Sequence, residues 1–301
     1  MKTNAIIRII IWSIVIVLLL GTMTAVMTFG LFQNNTKTVI ENVAVKDAFT
    51  TEQAPAATVY LDRESEFLFD SAEVNEIEIN WAAGSILIMP YDVDQIEVSE
   101  SDVSDSKYAM ECYLKKSKLI INFSEENKYN HGFGITINGN FSKDLTILVP
   151  RNWELSDLEI DAASAKLEVC NMTIRDVEID TASGICEFEN CTVDTIDIDT
   201  ASGDVKFVGS LNILDCDAAS ANVVAILSNT PSRMDMDSMS GDLDITLPPD
   251  CGFTVSTEGL SSDFSSDFST IMNNGNHVHG DGRCRIDVDA MSGDVTVRKG
   301  Q

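Results

Sequence analysis

A period-two alternation of apolar and acidic residues, broken by a corner of small residues, recurs along the chain. It reads LEIDAASAKLEV from Leu158, VEIDTASGICEF from Val177 and IDIDTASGDVKF from Ile196. It continues as LDCDAASANVVA from Leu214, MDMDSMSGDLDI from Met234 and IDVDAMSGDVTV from Ile286. A fainter copy, IEINWAAGSILI, begins at Ile77. Four of the six clear copies start 18 to 20 residues after their predecessor, a repeat-protein period.

Numbered one to twelve, each copy has apolar positions one and three, such as Ile196 and Ile198, and acidic positions two and four, such as Asp197 and Asp199. This alternation predicts a strand with one buried face. Positions ten and twelve resume it, as Val205 with Phe207 and Leu243 with Ile245. The corner between is Ala201, Ser202, Gly203 or Met291, Ser292, Gly293. Ala165 and Ala221 replace the glycine in two copies, so close approach of stacked corners explains the smallness better than an obligatory positive φ. Between copies a third alternation appears: Met172 and Ile174, Cys191 and Val193, Leu211 and Ile213. Three short strands per repeat describe one coil of a three-faced parallel β-helix. A lone coil buries too little to offset the entropy of ordering its backbone, so coils must stack. The crossover preference makes such a solenoid right-handed.

A different pattern opens the chain. From Ile9 to Phe32 there is no charged residue. As a helix this run would be roughly 36 Å long, enough to cross a ~30 Å hydrocarbon layer. Lys2 and Arg8 precede it, which predicts a cytoplasmic N-terminus and an extracellular remainder, a single-pass cell-membrane protein. A cleaved signal peptide is the competing reading, but its apolar region is usually ~7–15 residues. The expected organisation is therefore 1–32 cytoplasmic N-terminus and anchor, 33–66 stalk, and 67–301 solenoid domain. Within the domain, 67–157 is an N-terminal β part, 158–247 the regular coils, and 248–301 an irregular coil and C-terminal cap. FTVSTEGLSSDFSSDF reads as a degenerate coil and NNGNHVHGDG as a hairpin, with Gly280, Asp281 and Gly282 as its turn signal. The last copy, ending near Gln301, is expected to be the far cap.

Charge narrows the partners. The anchor segment holds two of the 20 basic residues and none of the 48 acidic ones, which leaves 18 against 48 beyond it. Such a field repels nucleic acid and anionic lipid. In a stack the position-four acids Asp161, Asp180, Asp199, Asp217, Asp237 and Asp289 form a column, with Glu159, Glu178, Asp197, Asp215 and Asp235 beside it. At ~4.8 Å spacing the repulsion is about 0.9 kcal/mol per pair in water, tolerable without a metal. Calcium takes oxygen ligands and could bridge such a lattice, but straight ladders rarely supply six converging oxygens.

The sequence offers no catalytic set, no cofactor site and no metal site. The recurrent corner serine (Ser183, Ser202, Ser240, Ser292) has no paired histidine and reads as turn chemistry. His277 and His279 could ligate a metal near Asp281, but the third histidine, His131, is remote and the pattern reads as loop polarity. Seven cysteines (Cys112, Cys170, Cys186, Cys191, Cys216, Cys251, Cys284) form no CxxC, and Cys186 and Cys216 occupy core positions. An oxidising compartment would allow a Cys251–Cys284 bridge.

IDTASGDVKF, MDSMSGDLDITLP and VDAMSGDVTVRKG, with IEINWAAGSILI, resemble the bacterial "putative adhesin" family, also described as LiaG-like or toastrack-related. The resemblance covers roughly Val74 to Lys299. It implies a β-solenoid ectodomain, commonly membrane-anchored in Gram-positive bacteria, and it brings no catalytic residues with it. Together the residues and the resemblance lead to an all-β fold, a right-handed parallel β-solenoid behind one transmembrane helix. The expected function is a non-enzymatic surface binding an envelope component or a membrane protein. An accessory or sensor of an envelope-stress system is the alternative, and a polysaccharide-processing enzyme the third.

Overall fold

The computed structural model describes residues 65–101, 109–124, 142–261 and 263–300. They belong to one compact unit, 60–301. The apolar run 9–32, nearly all of the stalk and His131 lie outside the described residues. Among those described, no helix is long and apolar enough to cross a membrane, and the one helical turn is a short 3-10 segment, Ser71–Glu73.

The described chain is otherwise β. Strand β1 (Ser65–Phe69) is followed by β2 (Glu76–Tyr91), β3 (Ile96–Glu100), β4 (Glu111–Lys115), β5 (Lys118–Asn122) and β6 (Lys143–Pro150). Then come β7 (Glu154–Cys170) and β8 (Thr173–Leu227), the latter extended through successive coils. β9 (Arg233–Ser240), β10 (Leu243–Leu247), β11 (Phe253–Ser261) and β12 (Phe264–Ser266) follow. β13 (Ile271–Asn273), β14 (Asn276–His279), β15 (Cys284–Ser292) and β16 (Val295–Lys299) complete the sheet.

The repeat phrases pair parallel and in register. Ile79 faces Ile160, which faces Ile179, and Cys216 faces Met236, which faces Val288. Ile179, Ile198 and Met236 are all buried, as the alternation predicts. The second face repeats this with Val169, Phe188, Phe207, Ala225, Ile245 and Val297. The tilted rings of Phe188 and Phe207 lie 5.8 Å apart, and the small Ala225 follows in the next coil. The third alternation also points inward at Met172, Ile174, Cys191, Val193 and Leu211, whereas Ile213 is half-buried. At the corner before it Asn152, Asn171 and Asn190 take φ of 61, 55 and 54°, and Gly209 takes the equivalent place. Asparagine tolerates this left-handed turn because its short amide can bond locally.

Coil order departs from chain order at both ends. β2 pairs with β7 on one side and with β5 and β6 on the other, so the later segments Lys118–Asn122 and Lys143–Pro150 form the outer coil. At the other end β15 sits between β9 and β11, and β16 between β10 and β12. The last repeat copy is therefore not the far cap: the degenerate coil from Phe253 is outermost, and the last copy returns beneath it. Its own sequence favours this, because Ile286, Val288, Val295 and Val297 need apolar coils on both sides.

Antiparallel strands close the ends. β3 covers β6 and β1 covers β3, while β4 covers β5. At the other end β14 pairs antiparallel with β11, and β13 with β14. Such coverage shields ladder groups that an open edge would present to other chains. The hairpin turns at Asn274 and Gly275, with φ of 51 and 88°. Gly280 and Gly282, expected as its turn, instead carry the chain from β14 into β15.

Candidate binding face

Stacking turns single acidic residues into two parallel columns. At position two the paired residues run Glu78, Glu159, Glu178, and further along Asp215, Asp235, Asp287. At position four they run Asn80, Asp161, Asp180, and further along Asp217, Asp237, Asp289, Glu258. Asp197 and Asp199 fill the coil between. Cations stand mainly at the start of these strands. Lys118 lies 2.9 Å from Glu159 and 3.2 Å from Glu78, and these partners raise its pKa. Arg233 bridges Asp215 and Asp235 at 3.0 and 3.2 Å, and Arg285 meets Asp287 at 2.7 Å.

Partial burial, reinforced by neighbouring carboxylates, pushes Asp199 and Asp237 up to about 6. The same causes raise Glu178, Asp180 and Asp289, and burial likewise raises Asp235 against the opposing pull of Arg233. Among the described residues no group of three or more His, Cys, Asp or Glu side chains has metal-holding geometry.

The corner explains the Ser-Gly-Asp signature. The Asp242 carboxylate accepts from the Asp294 backbone N–H at 2.9 Å, and Asp294 accepts in turn from the Asp263 N–H at 3.2 Å. Asn222 takes the same role, donating to Asp204 and accepting from the Asp242 N–H. The glycines approach the preceding corner closely, as expected, but their φ lies between 145 and 158° at Gly184, Gly203, Gly241 and Gly293. Positive φ thus accompanies close approach, and only the Ala165 and Ala221 coils avoid it. The hydroxyls bonding local backbone are those of Thr181 and Thr200, donating to Ser183 O and Ser202 O. The Ser240 hydroxyl instead reaches Ser220 in the preceding coil, at 3.3 Å.

One corner position breaks the repeat. Where other coils carry Ala163, Ala182, Ala201 and Ala219, two carry Met239 and Met291, 48% and 55% exposed. In the sequence Met291 reads as one more corner residue beside Ser292 and Gly293, although the departure of both methionines from alanine is visible there. His277 and His279 belong to the end cap: His277 stacks on Phe264 at 4.1 Å, and His279 packs against Phe268 at 4.7 Å with Nδ1 2.9 Å from Ser269 O. Asp281 pairs with Arg283. All seven cysteines are free, including Cys251 and Cys284. A groove of about 820 Å³ runs along Gly209, Ile226, Pro248, Pro249 and Lys299, with no aromatic residue lining it.

Three solved structures resemble the chain distantly. One is described as a "putative cell adhesion protein" from Clostridium sporogenes, at 9% identity and TM-score 0.31, covering 78% of this chain and 98% of its own. The second is a "putative adhesin" from Bacteroides fragilis, at 14% identity and TM-score 0.44, covering 78% and 96%. The third is a "putative lipid binding protein" from Parabacteroides distasonis, at 11% and 0.35, covering 79% and 96%. No curated protein matches the chain. The family model described as Toastrack DUF4097 matches twice, over residues 74–212 and 152–298, overlapping as a repeated coil would allow. These matches take in most of the chain, which therefore belongs to the toastrack DUF4097 family.

Proposed function

We propose that this chain is a non-enzymatic, membrane-anchored scaffold whose solenoid stands outside the cell and presents its regular acidic face to a binding partner. The partner is an envelope component or another membrane protein. The observation carrying this reading is the pair of carboxylate columns, repeated coil after coil on a framework whose core, corners and ends are tied by hydrogen bonds. A fixed array of like charges at strand spacing suits multivalent recognition of a cationic surface. The apolar run 9–32 supports the anchor.

The purified full chain, immobilised, should retain envelope fractions or a co-expressed membrane protein more strongly than a variant with Asp180, Asp199 and Asp217 changed to Asn. Equal retention by both, or none, would refute this reading. Alkaline extraction that releases the chain from membranes would remove the anchor. A role as accessory or sensor in an envelope-stress system is the second reading, favoured by the same columns, since cationic agents would gather on them. Neighbouring kinase or transport genes would support it.

A further inference from the structure

The repeat is its own control. Alanine at the sixth position satisfies the corner in coil after coil, so a larger residue there that stays exposed is not demanded by the fold. Met239 and Met291 are such residues. Ser238 pairs with Ala290 and Ser240 with Ser292, which sets the two methionines side by side in adjacent coils. They form an apolar ridge that the solenoid leaves uncovered.

The ridge is framed by charge of one sign. Asp237 and Asp289 stand two residues before it, and Asp242 and Asp294 three residues after it, and all four reach solvent. The arginines of these coils are already paired: at the start of the strands before the ridge Arg233 is committed to Asp215 and Asp235 and Arg285 to Asp287, and in the strands after it Arg298 to Asp244. Methionine adapts its unbranched, polarisable side chain to varied partners. Acid rows on both sides favour cationic ligands and repel anionic ones.

We propose that the Met239–Met291 ridge is the docking point for a cationic amphipathic segment of a partner. Its apolar stripe covers the two thioethers, and its lysines or arginines pair with Asp237, Asp289, Asp242 and Asp294. This rests on the scaffold reading above and names the partner's chemistry and its place on the face.

The test uses the full chain and a dye-labelled peptide of alternating lysine and leucine turns, followed by fluorescence anisotropy. Met239→Ala with Met291→Ala restores the residue of the other coils, so its thermal unfolding should match the wild type. We expect this variant to bind the peptide at least fivefold more weakly at both 50 and 300 mM salt. Asp237→Asn with Asp289→Asn should weaken binding mainly at low salt, because screening already removes that contribution at high salt. A peptide with leucine replaced by serine should lose the dependence on the methionines. Wild-type affinity in the double-alanine variant, or no binding of the peptide, overturns the proposal. If that variant also retains envelope fractions as wild type does, the scaffold reading stands while the docking point falls.

Discussion

A Cβ on Gly203 would lie 2.1 Å from the carbonyl oxygen of Gly184, one coil earlier. The Gly203 φ of 154° is also one that side chains avoid. We expect Gly203→Ala to cost about 3 kcal/mol, since the corner must shift or its coils part. The converse change, Ala221→Gly, should cost only about 1 kcal/mol, mostly from added freedom in the unfolded chain. Urea unfolding followed by circular dichroism compares the two; equal losses would mean that the contact does not constrain the stack.

The N-terminal cap depends on a charge pair of another kind. Lys143 Nζ meets Glu100 and the Phe123 carbonyl, with both charged side chains almost wholly shielded from water. Glu100 also accepts from the Met110 N–H at 2.7 Å, and the ammonium lies 4.1 Å from the Phe123 ring centre. Lys143→Met alone takes the cation away from a buried carboxylate and should cost about 3–5 kcal/mol. Adding Glu100→Gln, which keeps an acceptor for Met110, should recover much of that loss. A double-mutant cycle showing additive losses would contradict this picture.

How far the sequence reached follows from the range of each interaction. Strand faces were legible because burial alternates residue by residue, so Ile160, Ile179 and Ile198 announced themselves. The small corner was legible for the same reason, although its positive φ was hidden by Ala165 and Ala221. The interleaving of the end coils was not, because alternation reports which side of a strand is buried and never which strand lies beside it. The Lys143–Glu100 pair was equally hidden: partners 43 residues apart in the irregular segment carry no period. In the candidate face the columns were legible as soon as stacking was assumed. The methionine ridge was overlooked because its residues sit in the corner, where the alternation is interrupted and says nothing about which side chains stay exposed.

Burial should also govern the thiols. Six of the seven cysteines are buried, and Cys170 is half-buried. Burial pushes Cys112, Cys216 and Cys284 up to about 12 and Cys186 and Cys191 up to about 11. Thiolate is the reactive form, so at pH 8 a disulfide reagent should label the folded chain slowly, Cys170 first. In guanidinium without reductant all seven thiols should titrate. A count of five would reveal a disulfide, with Cys251 and Cys284 the pair to examine.

Acid should stabilise this protein before it harms it. Asp199 and Asp237 titrate near 6 in the folded chain, and Glu178, Asp180, Asp235 and Asp289 are displaced in the same direction. Unfolding separates the columns and returns these groups to near 4. Between about pH 4 and 6 the folded chain therefore binds more protons than the unfolded one, and stability falls as pH rises through that window. The Arg151 contact, which lowers Asp92, works the other way but is fully exposed and contributes little. We expect a higher Tm at pH 5 than at pH 7.5, with 1 M salt narrowing the gap by screening the columns. Asp199→Asn with Asp237→Asn should raise Tm at pH 7.5 and flatten the profile, because the amide is neutral at every pH. A Tm that climbs steadily from pH 5 to 7.5 in the wild type would mean that the stacked carboxylates do not oppose one another.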